Sequence, residues 1–303
     1  MRACLPAVLT WVAAGCGGDA APTPPTPPTA PREDAGCAVV AGFAETSPIA
    51  EASGATWLVL DGVATVAVVG DSGTGGAYEL LDPTTGAVRE AGRLPLGDGA
   101  SDDLEGLTAR TTAAGLELIG VTSSGWLRHW RRRPGGFELV DGPYPLARGA
   151  GPGGEPLTCR GTQTNCGNNY EGVCLAPTVE PADGCQGFAA SKARGELLCL
   201  VADGARLRVD PSRRIAVAAA EALTGCDVAP DGAALWAGTN LFGASRVYRI
   251  EGWRVPATAR VRDLGTLGLG FPEALAVDDA GGLYRFSDTS GAPSVQAKYA
   301  CAR

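Results

Sequence analysis

The chain has 303 residues and carries 44 glycines, 22 prolines, ten cysteines and one histidine, with a formal net charge of −8. Neutralising a phosphate backbone needs clustered Lys and Arg, so this acidic balance excludes nucleic acid as the main partner. A single histidine, His129, rules out a multi-histidine metal site and leaves no histidine placed for a Ser–His–Asp triad. It lies beside the one basic run, Arg131 to Arg133, which reads as an exposed strand and turn, so His129 is expected to be an exposed strand residue.

Residues 1–15 read as a lipoprotein signal peptide. Met1–Arg2 gives a short positive start, and residues 3–14 are almost all apolar, a length that suits a signal core and is too short to span a bilayer. The run Ala13–Ala14–Gly15–Cys16 then resembles a bacterial lipobox, which places diacylglyceryl and palmitate-type acylation on Cys16. An ordinary secretory signal cleaved at a small residue is the alternative, and either one exports the domain. Residues 16–36 form the lipidated cysteine and a proline-rich tether, whose repeated Pro-Pro-Thr favours extended polyproline II and builds no core. The expected location is the cell envelope, anchored to the lipid bilayer. Gly17 follows the lipid cysteine in place of a retention aspartate, which points to the outer membrane by analogy.

Residues 37–303 read as one all-β domain. Thr56–Leu60, Val63–Val69, Gly115–Val121 and Val247–Ile250 are rich in β-branched, aromatic or leucine residues and are bounded by Gly, Pro, Asp or Ser. Ile215 to Leu223 reads as a turn or two of helix. Eight cysteines fall in the domain: Cys37, Cys159, Cys166, Cys174, Cys185, Cys199, Cys226 and Cys301. An even number in an exported domain predicts disulfides. Five of them crowd into residues 159–199, which predicts an irregular, stapled insertion there. A bond between Cys37 and Cys301 would close the largest loop, but spacing alone leaves the pairing open. Zinc is disfavoured because paired Cys-x-x-Cys knuckles are absent.

A spaced self-similarity runs through the domain. Asp103–Leu–Glu–Gly–Leu107 and Asn169–Tyr–Glu–Gly–Val173 are its clear copies; Glu51–Ala–Ser–Gly54, Cys226–Asp–Val–Ala–Pro–Asp–Gly232 and Pro272–Glu–Ala–Leu–Ala–Val–Asp278 are degenerate ones. Dividing the domain by about 45 residues per repeat predicts a six-bladed β-propeller. The alternatives are a β-sandwich or two smaller β domains. The motifs Glu51–Ala–Ser–Gly54, Gly70–Asp–Ser–Gly73, Asp103–Leu–Glu–Gly–Leu107, Pro272–Glu–Ala–Leu–Ala–Val–Asp278 and Phe286–Ser–Asp288 resemble, in this order, those of the esterase-like/phytase-like and SdiA-regulated group of β-propellers. The resemblance covers most of residues 45–290. It implies a propeller fold and, in its hydrolase members, calcium-dependent cleavage of phosphoric or carboxylic esters.

In a propeller, the entrances of the innermost strands converge on one mouth. With the repeats in phase, Glu51, Glu105, Glu171, Asp227 and Glu273 ring the axis, with Asp71, Asp103 and Asp288 at nearby strand ends. Clustered carboxylates repel one another unless neutralised, and calcium, a hard cation taking oxygen ligands, is the expected neutraliser. Glu51, Glu105, Glu273, Asp227, Asp71 and Asp103 are the expected ligands. Glu171, among the cysteines, is expected to join blades instead. The sequence thus predicts a membrane-anchored extracytoplasmic lipoprotein with a calcium-binding propeller that binds an envelope protein or glycan. A calcium-dependent ester or phosphoester hydrolase is the alternative.

Overall fold

The structure is a computed structural model that describes residues 36–217, 221–240, 245–267 and 271–301. The chain separates into Met1–Glu33 and Asp34–Arg303, and the folded domain is the second unit. The signal segment, Cys16 and the tether lie outside the described residues.

Two short strands open the domain, β1 (Cys37–Val39) and β2 (Thr46–Ala50). Blade 1 follows with β3 (Ala52–Leu60), β4 (Val63–Gly70), β5 (Ala77–Leu81) and β6 (Val88–Arg93). Blade 2 has β7 (Leu104–Thr112), β8 (Gly115–Thr122), β9 (Trp126–Arg133) and β10 (Gly136–Pro145). Blade 3 has β11 (Tyr170–Leu175), β12 (Gly187–Ser191), β13 (Glu196–Asp203) and β14 (Arg206–Ala216). Blade 4 has β15 (Leu223–Val228), β16 (Ala234–Thr239), β17 (Arg246–Glu251) and β18 (Arg260–Thr266). Blade 5 takes β19 (Pro272–Val277), β20 (Gly282–Ser287) and β21 (Pro293–Cys301), and β1 pairs with β21 as its outer strand. β2 also pairs with β21. Every pairing is antiparallel, and β3, β7, β11, β15 and β19 lie side by side in a closed ring.

The molecule is therefore a five-bladed propeller, which corrects the expected six. The count fails because the repeats are longer than the assumed period, and residues 146–169 form a long connection between β10 and β11. Burial follows distance from the axis. The innermost β11 and β15 are buried throughout, while the outer β6 and β18 are mostly exposed. Strands covered on both faces read as continuous apolar runs, which is why β4 is legible as Val-Ala-Thr-Val-Ala-Val-Val.

The expected helix from Ile215 to Leu223 is corrected at both ends: Ile215 and Ala216 close β14, and Leu223 opens β15. Residues 218–220 lie outside the described residues. The cysteine-rich interval is only partly an insertion. Cys159 and Cys166 bond within the connection, whereas Cys174, Cys185 and Cys199 belong to blade 3. Cys185 bonds Cys199, Cys174 bonds Cys226 of the neighbouring inner strand, and Cys37 bonds Cys301.

His129 is also corrected. It is buried on β9, and its Nε2 lies 2.7 Å from the Tyr144 hydroxyl. Its imidazole is pushed down to about 4, chiefly by burial, so it is neutral at physiological pH. The imidazole shares a strand face with Arg131, both beside Glu117, and packs against Tyr144, while Arg131, Arg132 and Arg133 pair with Glu117, Glu90 and Glu138.

Candidate functional site: the axial mouth

Each inner strand begins with the same irregularity. The register slips between Ala52 and Gly54, Leu104 and Gly106, Tyr170 and Gly172, Leu223 and Gly225, and Pro272 and Ala274. A bulge inserts an unpaired residue and re-aims its side chain. The inserted residues are Ser53, Glu105, Glu171, Thr224 and Glu273, which form the inner ring of the mouth.

A second ring comes from the residue that follows each second strand: Asp71, Ser123, Lys192, Asn240 and Asp288. Four of these are fixed by one repeated hydrogen bond. Their amides donate to the carbonyls of Glu51, Asn169, Ala222 and Phe271 in the residues just before the inner strands, for Asp71, Lys192, Asn240 and Asp288 respectively. Ser123 instead donates its hydroxyl to Asp103.

The two rings bring carboxylates into contact range. Ligand oxygens of Asp71, Asp103 and Glu105 lie within 4.8 Å of one another, as do those of Glu105, Glu171 and Glu273. Lys192 is the cation among them, with its Nζ 3.0 Å from Glu171 and 3.7 Å from Glu273. Glu105 accepts a hydrogen bond from the Ser53 hydroxyl. Glu171 is 1 % exposed, and its Oε1 has no hydrogen-bond partner among the described residues.

Burial and like charge raise the proton affinity of the cluster. Glu105 is driven well up by burial, then by Glu171 and Asp71. Burial pushes Asp71 up to about 7, and Asp103, Glu273 and Glu51 add to it. Glu171 is also pushed up to about 7, because burial outweighs the ammonium of Lys192. Burial also raises Glu273 and Asp103. Burial pulls Lys192 down, but Glu171, Glu273 and Glu105 together hold it above its ordinary value.

A group whose folded pKa lies above its unfolded value makes the folded state bind more protons. Its stabilisation is complete at low pH and is lost as pH rises towards the folded value. In chelator, the melting temperature is therefore expected to fall between about pH 5 and pH 8, the window set by Asp71 and Glu171. A flat profile in differential scanning fluorimetry would mean that the carboxylates are already compensated.

Loops around blade 2 brace the mouth. The buried Arg128 guanidinium donates to the carbonyls of Leu96, Ala100 and Ser101 at 2.6, 3.0 and 2.8 Å, fixing the segment that leads to Asp103. The long connection leans on the same place: the Ser101 amide donates to the Gly161 carbonyl at 2.6 Å, and the Asn165 amide donates to Ser123 Oγ at 3.0 Å. The Cys159–Cys166 bond staples this brace.

Below the inner ring the axis is closed. Gly54, Gly106, Gly172, Gly225 and Ala274 face one another there, and the space between them has no volume for a water. Small residues are required because a β-carbon on Gly106 would lie 2.5 Å from the Val173 amide nitrogen, and one on Gly54 would lie 2.7 Å from that of Leu107.

Among the expected ligands, the structure brings together Asp71, Asp103, Glu105 and Glu273. Glu51 lies just outside; it has a left-handed backbone (φ 53°) and adds charge beside Asp71. Asp227 is not at this mouth. It sits beyond the collar, where its carboxyl accepts from the amides of Val228 and Val277, each at 3.0 Å, and burial pushes it up to about 8. Glu171, expected to join blades, is instead at the centre of the cluster. Sequence reasoning passes over Ser53, Thr224, Ser123 and Lys192 because they are not acidic. Their signal is positional: each precedes the collar residue or follows a second strand.

No family model matches the chain, and no curated protein matches it. Among solved structures, the PQQ-bound aldose sugar dehydrogenase of Streptomyces coelicolor has 13 % identity and a TM-score of 0.47, covering 88 % of this chain and 99 % of that one. A putative glucose dehydrogenase of Thermus thermophilus has 13 % identity and a TM-score of 0.44, over 84 % and 98 %. A chain of a nidogen/laminin complex has 13 % identity and a TM-score of 0.43, over 74 % and 70 %. None of these likenesses carries chemistry over to this chain, and the five-bladed architecture rests on its own strand order.

Proposed function

We propose that the chain is an exported, lipid-anchored binding module of the cell envelope whose propeller holds a divalent cation, calcium by the chemistry of its donors, at the axial mouth. The observation that carries the reading is Glu171 Oε1, a buried carboxylate oxygen with no partner among the described residues, within a group of three carboxylates. The other oxygen of Glu171 pairs with Lys192, but one ammonium cannot neutralise Glu105, Glu171 and Glu273 together, and a second cation would offset the remaining buried charge. Beside the Lys192 ammonium, the donors offered are carboxylates, hydroxyls and an amide, which suit a hard cation and disfavour zinc, whose sites use histidine and cysteine. The anchor rests on the apolar start and on Cys16.

Metal content and calcium titration calorimetry on the intact chain test the reading. About one equivalent of calcium is expected, with Glu105→Gln and Glu171→Gln each weakening it by about tenfold or more. Unchanged affinity in both variants would falsify the assignment. A hydrolase at the same mouth would turn over p-nitrophenyl phosphate or acetate and lose that turnover with chelator; a binding module does neither. Cys16→Ala is expected to move the protein from the membrane to the soluble fraction.

A further inference from the structure

The far side of the collar carries a second opening, unrelated to the carboxylate mouth. At the C-terminal ends of the inner strands of blades 1 to 4 lies a cavity of about 190 Å³, walled by Trp57, Leu58, Leu116, Leu175 and Pro177 and by Arg110. Among the described residues, Arg110 is the only cation that lines it. The guanidinium is half-buried, and its Nε is inaccessible and without a partner. Among the described residues Arg110 makes no hydrogen bond or ion pair through its side chain. Its cross-strand neighbour Glu117 gives its carboxylate to Arg131 at 2.8 Å and faces His129 at 3.9 Å.

Basic groups at the other large cavities are either exposed, as are Arg148, Arg206 and Arg208 beside a cavity of about 470 Å³, or engaged. The larger cavity of about 550 Å³ between blades 3 and 4 is lined by Arg213, Arg214 and Arg254, and these pair with Asp210, Glu196 and Glu180. Among the described residues that line these cavities, Arg110 combines partial burial, a donor without a partner and an apolar wall. Glu117 acts on Arg110 only through its field and not through a hydrogen bond, so burial still outweighs it, and the planar fork of the guanidinium fits a carboxylate in two-point contact. The one acidic lining group, Asp227, is held by the backbone amides of Val228 and Val277.

We infer that this distal cavity is a binding site for a small organic carboxylate with an aromatic or branched apolar body, the carboxylate meeting Arg110 and the body lying against Trp57. The volume is below that of drug-sized ligand sites and suits a single-ring acid. Acetate would leave the apolar wall unfilled, and an uncharged amide would leave the guanidinium unpaired.

The probe is benzoate, followed by ligand-observed NMR and by tryptophan fluorescence on the intact chain, with benzamide and acetate as controls. Saturable benzoate binding with a Kd of about 1 mM or tighter is expected. Arg110→Gln should weaken it by about tenfold or more, and Arg110→Lys less, since a lysine keeps the charge and loses the fork. Trp57→Phe should abolish the fluorescence change, and benzamide should not compete. Glu105→Gln, at the other mouth, should leave benzoate binding unchanged whether or not calcium binds. No saturation by about 20 mM, equal binding of benzamide, or equal affinity in a folded Arg110→Gln or Arg110→Lys variant would each overturn the site.

Discussion

Gly106→Ala is expected to destabilise the domain by about 3 kcal/mol or more, at the upper end of what overpacking a core costs. The new methyl would sit 2.5 Å from the Val173 amide nitrogen and 2.7 Å from the Gly172 backbone. Both obstacles are main chain of the adjacent inner strand, so no side-chain rotation relieves them. The inner strands of blades 2 and 3 would have to part, and the bulge that aims Glu105 lies immediately before the substitution. Calcium affinity should fall with stability. The reverse change at the fifth collar position, Ala274→Gly, should cost only about 0.5–1 kcal/mol, the ordinary effect of added backbone freedom. Urea denaturation of the two variants checks the contrast. Equal, small losses would mean that the axis can widen and that the collar does not set the strand spacing.

The second large effect concerns closure. Removing the terminal bond with Cys37→Ser and Cys301→Ser is expected to cost about 5 kcal/mol, since it closes a loop with a sequence separation of 264 and the chain-entropy model gives its largest stabilisation to the longest loops. Blade 5 would then hold its outer strand by three paired residues, Cys37 to Val39 against Cys301 to Tyr299, and the Val40 amide bond to the Lys298 carbonyl. Equilibrium unfolding with and without reductant, read against the double variant, measures this. A loss below about 1 kcal/mol would show that β2 and the remaining β21 contacts close the ring without the covalent bond.

The strands themselves were legible from the sequence because the inner blades are buried on both faces. An apolar run such as Val63 to Val69 needs no tertiary information to be read as extended. The blade number was also present, in the five copies of the repeat, but division by an average length overrode them. The period assumed was too short, and residues 146–169 lengthen the chain without adding a blade. The site was half legible. Glu105 and Glu273 followed from the motif, while Glu51 and Asp227 were placed out of phase because the copies were aligned on acidity. Aligned instead on the small collar residue, Gly54, Gly106, Gly172, Gly225 and Ala274, the copies give Ser53, Glu105, Glu171, Thr224 and Glu273 directly. Lys192 could not be found that way. Its position depends on where β12 ends, and nothing in Ser191–Lys–Ala–Arg194 marks that hairpin as facing the carboxylates. The three neighbouring arginines suggest solvent for His129, whereas Glu117, Glu90 and Glu138 take up their charges and Tyr144 packs against the imidazole.

The arrangement of blade 5 also decides how the domain answers a mechanical pull. Tension entering the domain along the backbone from residue 36 reaches Cys37 first. There it divides, and the covalent path leads straight to Cys301 on β21, the central partner of β1, β2 and β20. Without the bond, the same tension would peel a three-residue strand away one hydrogen-bonded pair at a time, the weakest geometry a sheet offers. With it, β1 cannot be stripped, and the strain is delivered to a nine-residue strand that is paired along both edges. A propeller pulled by its N-terminal end would thus keep its last blade from unravelling.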